Sequence, residues 1–80
     1  MIKIKFEDNK SVAYEEDKKI GECVFIESDN SWNIIHTEVD SSYQGQGIAR
    51  RLVECIIVMA KNQNKKLVAD CSYARKVIEK

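Results

Sequence analysis

The apolar residues of this chain keep one period up to residue 39 and another from residue 49 to residue 60. In "MIKIKFEDNK", Ile2, Ile4 and Phe6 alternate with Lys3 and Lys5, the period of a half-buried strand. A tight turn at Asn9-Lys10 leads into "SVAYEED", with Val12 and Tyr14 on one face. Asp17-Lys18-Lys19 turns the chain into "IGECVFIE", apolar on both faces and therefore central, and "SDNS" turns it into "WNIIHTEV". Then Ala49, Leu52, Val53, Ile56, Ile57 and Ala60 fall three or four apart, the stripe of an amphipathic helix. The helix is expected to stop near residues 62–64, where lysines sit at the negative end of its dipole. "KLVADCSY" then reads as a fifth strand and "ARKVIEK" as a short terminal helix.

That single change of period predicts an α/β (α+β) fold. Four strands form an antiparallel meander, a helix crosses over, and a fifth strand returns parallel to the fourth in a right-handed βαβ unit. Eighty residues leave room for one core, so residues 1–80 are read as a single domain. Its stability should be of the order of 4–12 kcal/mol.

Thirteen basic and thirteen acidic residues cancel, so no broad field draws nucleic acid or an anionic membrane. No stretch approaches the roughly 18 apolar residues of a membrane span, and the first residues lack the apolar core of a signal peptide. A cytoplasmic protein without membrane or nucleic-acid partners is expected. Cys23, Cys55 and Cys71 are odd in number and widely spaced, which reads as reduced thiols, with no metal site.

Two of the three glycines, Gly45 and Gly47, stand in "YQGQGIA" between the fourth strand and the helix. The first amides of a helix have no partner within it, and the helix dipole makes that end electropositive. Glycines let the backbone turn sharply and meet a ligand without a Cβ in the way. Together they make a site for phosphate, to which Arg50 and Arg51 add charge. The pattern is not a P-loop, because Ile48 and Ala49 follow the last glycine in place of Lys and Ser or Thr. Nor is it the Rossmann fingerprint, whose third glycine is Arg50 here.

The stretch "VDSSYQGQGIARRLVE" closely resembles motif A of the Gcn5-related N-acetyltransferases (GNAT), Q/R-x-x-G-x-G/A, and Gln44-Gly45-Gln46-Gly47-Ile48-Ala49 fits every specified position. "HTEV", "GQGIARRL" and "DCSYARK" together resemble the very short acetyltransferase-like proteins of that superfamily. The resemblance implies acetyl-CoA as acyl donor. Gln44 to Ala49 and Arg50 would hold its pyrophosphate, and the strand near Thr37 and Val39 would pair with its pantetheine arm. It also raises Cys71 as a candidate nucleophile and Tyr73 as an acid toward the departing CoA thiolate. Larger members carry extra helices and strands that build the acceptor pocket, which this chain lacks.

In a βαβ unit ligands gather beyond the carboxyl ends of the parallel strands, so His36, late in the fourth strand, and Cys71, late in the fifth, are expected to line one crevice. A lysine-like amine titrates near 10.4, so freeing its lone pair at neutral pH costs roughly 4 kcal/mol, and a histidine could take that proton. A thiolate could instead attack the thioester and form acetyl-Cys71. The function expected is an acetyl-CoA-dependent N-acetyltransferase acting on a small-molecule or peptide amine, by direct attack or through acetyl-Cys71. The alternative is a CoA or acyl-CoA-binding module without efficient catalysis.

Overall fold

Each alternating segment forms a strand. The computed structural model describes residues 1–79: β1 (Ile2–Glu7), β2 (Lys10–Glu15), β3 (Lys18–Ser28) and β4 (Ser31–Val39) run antiparallel in sequence order. Asp8, Glu16 and Asp29 open the three connecting turns with φ of 45°, 58° and 49°. The turns begin a residue or so earlier than the sequence suggests, so that Lys10, Lys18 and Lys19 belong to strands. After a short 3-10 turn at Ser41–Tyr43 come α1 (Ile48–Asn62), β5 (Lys66–Ala69) and α2 (Ser72–Ile78). β5 pairs parallel to β4, completing a sheet in the order β1-β2-β3-β4-β5. No helix among the described residues is long and apolar enough to cross a membrane.

Helix α1 lies across the sheet and α2 packs beside it against β4 and β5, so both helices occupy one face. Leu52, Val53 and Ile56 of α1 are fully buried against Ala13, Cys23, Phe25 and Ile34 of the sheet. Phe25 and Trp32 stack with centroids 4.1 Å apart, and Phe6 closes that end of the core. Ser11 also faces the helix and donates from Oγ to the carbonyl of Leu52 at 2.8 Å. The third glycine, Gly21, has a packing reason: a Cβ there would stand 2.9 Å from the Glu38 carbonyl oxygen and 3.3 Å from Leu52 Cδ1.

One irregularity decides which way β4 presents its side chains. Phe25 pairs with Ile34 but Val24 pairs with His36, so Ile35 is an extra residue, a β-bulge. Before it, the buried Trp32 and Ile34 face the helices; after it, Thr37 lies opposite the buried Cys23, on the helix side, and Val39 opposite Gly21. His36 and Glu38 therefore point to the other face.

The fifth strand is shorter than expected and the last helix starts sooner. β5 ends at Ala69 because the amides of Asp70 and Cys71 both turn back to the Ile34 carbonyl, at 2.9 and 3.1 Å. The Arg75 guanidinium then takes the Ala69 carbonyl with two N–H donors, at 3.1 and 3.2 Å. Cys71, expected late in a strand, is instead the N-cap of α2, and Tyr73 is in that helix.

Candidate functional site

The last rung between β4 and β5 is Ile34 with Ala69, after which the strands part. From Ile35 to Val39 the β5-side rim of β4 makes no backbone pairing among the described residues. A groove of about 530 Å³ opens there, within the size range of small-ligand sites. Thr37 and Val39 form its sheet wall, Tyr43, Gln44, Gly45 and Gly47 its loop wall, Ile48 and Ala49 its helix wall, and Tyr73 closes it from α2.

The loop is built to leave its amides bare. Asp40 caps the 3-10 turn by accepting the Ser42 amide at 2.8 Å, and the Asp40 carbonyl accepts the Tyr43 amide. Gly45 and Gly47 follow with φ of 83° and 76°, the left-handed region that side-chain-bearing residues avoid. A Cβ on either would meet nothing within 4 Å, so the main chain lies open. Gly47 is the N-cap of α1 and gives no side-chain cap. Among the described residues, no acceptor takes the amides of residues 45 to 50. No acidic residue stands in the first turn of α1 to compensate them. Arg50 is spent on Glu54 at 3.1 Å, whereas Arg51 forms no ion pair among the described residues.

Cys71 comes within 3.6 Å of the Thr37 hydroxyl, beside the parting of the strands. Burial alone would raise the Cys71 pKa. The amide of Ala74, the Thr37 hydroxyl and the amides of Tyr73 and Thr37 outweigh it, and together they hold the thiol below its ordinary value. No full cap hydrogen bond closes on its sulfur, so these helix amides act as aligned dipoles at longer range. The other two thiols go the opposite way. Burial pushes Cys23 up to about 11 and raises Cys55 as well.

His36 does not join Cys71. Its Nε2 meets Glu38 Oε1 at 3.0 Å on the face of the sheet away from the helices, near Glu22, which Lys19 and Lys10 already hold. The bulge at Ile35 is the physical reason. Of the expected residues, Thr37, Val39, Gln44, Gly45, Gly47, Ile48, Ala49 and Tyr73 meet in the groove, with Cys71 at its rim; Gln46 and Arg50 stand beside it. Tyr43 also lines it, a wall position that its place just before Gln44 hints at, and Arg51 is the second basic residue of the first turn.

A mixed sheet that parts beside a glycine-built row of free amides defines an acetyltransferase fold. The chain belongs to the GCN5-related N-acetyltransferase family, whose model matches residues 9–80. Its solved likenesses include a GCN5-like protein from Staphylococcus aureus, with a TM-score of 0.74 and 32% identity over 96% of this chain and 78% of that one. A GNAT acetyltransferase from Elizabethkingia anophelis with acetyl-CoA bound matches with a TM-score of 0.67 and 31% identity, over 75% of this chain and 40% of that one. A Bacillus anthracis protein described as a streptothricin acetyltransferase, in complex with acetyl coenzyme A, matches at 0.63 and 26%, over 74% and 35%. This chain thus spans well under half the length of those two. Among curated proteins, none matches it.

Proposed function

We propose that this chain is an acetyl-CoA-dependent N-acetyltransferase acting on a small-molecule or peptide amine. The observation that carries the reading is the run of unpartnered amides from residue 45 to 50 at the mouth of the groove. Those donors, on a backbone bared by two glycines and at the positive end of α1, suit a pyrophosphate. In this reading Gln44, Gly45, Gln46, Gly47, Ile48, Ala49 and Arg50 form the cradle, and Arg51 supplies a further cation. The unpaired rim of β4 at Thr37 and Val39 offers strand-like hydrogen bonds to the amides of a pantetheine arm. The two relatives bound to acetyl-CoA support the choice of donor.

Cys71 is the acceptor of the acetyl group. Its sulfur lone pair forms a bond to the thioester carbonyl carbon while the donor's C–S bond breaks, and the CoA sulfur leaves with the electron pair. One thiolate replaces another, so the step is nearly balanced in energy. An amine then attacks acetyl-Cys71, gives up a proton to water and releases the Cys71 thiolate. Tyr73, which lines the groove, protonates the departing CoA sulfur and regains its proton, by way of water, from the attacking amine. His36, turned to the other face, takes no part in acetylating Cys71.

Incubation with labelled acetyl-CoA followed by peptide mass spectrometry tests this. A label on Cys71 that passes to added amines is expected. Tight binding with no acyl movement would favour a CoA-binding module, and no binding at all would remove the reading.

A further inference from the structure

We propose that Thr37 is a positioning residue for Cys71: its hydroxyl, set between two cysteine sulfurs, donates to the Cys71 sulfur once that sulfur is ionised. This rests on the assignment of Cys71 as the residue that receives the acetyl group. Thr37 Oγ1 lies 3.5 Å from Cys23 Sγ and 3.6 Å from Cys71 Sγ, so the three side chains form one chain from the core to the groove rim. A hydroxyl has one hydrogen and two lone pairs, and can donate to only one sulfur at a time. With Cys71 as a thiol, Cys71 donates to Thr37 and Thr37 donates to Cys23, the arrangement in the structure. With Cys71 as a thiolate, the opposite order satisfies every member. Cys23 is fully buried and stays an S–H throughout the neutral range, so it donates to Thr37, and Thr37 turns its hydrogen to Cys71.

The groups around the Cys71 sulfur fit this chain. From β4 there are the hydroxyl and the amide of Thr37, from α2 the amides of Tyr73 and Ala74, and from β3, beyond Thr37, the Cys23 thiol; Cys55 of α1 bears on Cys23 and not on Cys71. The neighbouring charges are engaged elsewhere, Asp70 with Asn33 and Arg75 with the Ala69 carbonyl. The His36 ring is on the far face with Glu38. When Cys71 forms its S–C bond to the acetyl carbon and the donor sulfur departs with the electrons of the broken bond, Cys71 ceases to be an anion and Thr37 loses its strong acceptor. Thr37 thus favours the attacking thiolate over the acetylated sulfur.

The test needs no acetyl-CoA, so its result stands apart from whether acetyl transfer occurs. Iodoacetamide labelling of Cys71 is followed against pH in the free protein, resolved by peptide mass spectrometry. Thr37→Val should raise the Cys71 midpoint by about one unit, roughly a tenfold loss of thiolate at neutral pH, and Thr37→Ser should restore it. An unmoved midpoint in Thr37→Val, or a serine variant that behaves like the valine one, overturns the proposal. In the unmutated protein, carbon resonances of the Thr37 side chain should titrate with the midpoint of the Cys71 Cβ. A Thr37 signal that stays flat while Cys71 ionises overturns it as well, whether or not either variant folds.

Discussion

Gly47 holds a left-handed backbone and faces open space where a side chain would stand, so its role at the groove is set by φ and by access rather than by packing. Gly47→Ala should keep the fold at a cost of about 1–2 kcal/mol for the left-handed conformation. Affinity for CoA should fall at least tenfold, because the new methyl enters the space an anion needs to reach the amides. Calorimetry and a thermal melt separate the two effects, and undiminished CoA affinity would count against the cradle. The glycine spacing was legible in the sequence because only a few residue types tolerate such a turn. The partnership of Thr37 with Cys71 was not. Strict alternation from Trp32 and Ile34 carries on to His36, and only an unpaired residue at position 35 transfers the inward position to Thr37.

At the scale of elements, that bulge is the feature most open to test. Deleting Ile35 removes the extra residue, so that His36 follows Ile34 directly: His36 and Glu38 stay on the outer face, and Thr37 and Val39 stay on the helix side. The deletion should therefore be tolerated, at a cost of no more than about 3 kcal/mol, and urea denaturation reads the loss directly. A chain that no longer folds would mean that the fold needs the bulge itself, and not only the facing of side chains on either side of it. The order of strands and the span of α1 were readable because each period persists for several residues. At α1 the buried first position is Ile48 rather than Ala49, which lines the groove, and the helix stops at Asn62, with Asn64 at a φ of 57°. The junction of β5 and α2 was misplaced because what ends the strand is long-range. Two amides share the Ile34 carbonyl, and no local pattern in "ADCSYA" announces it.

For the molecule as a whole, buried thiols tie stability to alkaline pH. Burial pushes the Cys23 thiol from its ordinary 9.0 up to about 11 when folded, so the fold favours its neutral form. A raised pKa of this kind contributes stability that is complete below the unfolded value and is lost as pH climbs through the folded one. Unfolding free energy should therefore drop by about 2 kcal/mol between pH 9 and 11 on this account. Cys23→Ala, although less stable at neutral pH, should show a flatter decline, and an equally steep one would assign the loss to other groups. Finally, the hold that Arg75 keeps on Ala69 matters beyond the helix it belongs to. A short outermost strand with bare carbonyls invites any extended peptide to extend the sheet. By occupying one of those acceptors with a bulky cation, the C-terminal helix acts as a bumper against strand-by-strand aggregation, so trimming the chain before residue 75 would expose a sticky rim as well as shorten a helix.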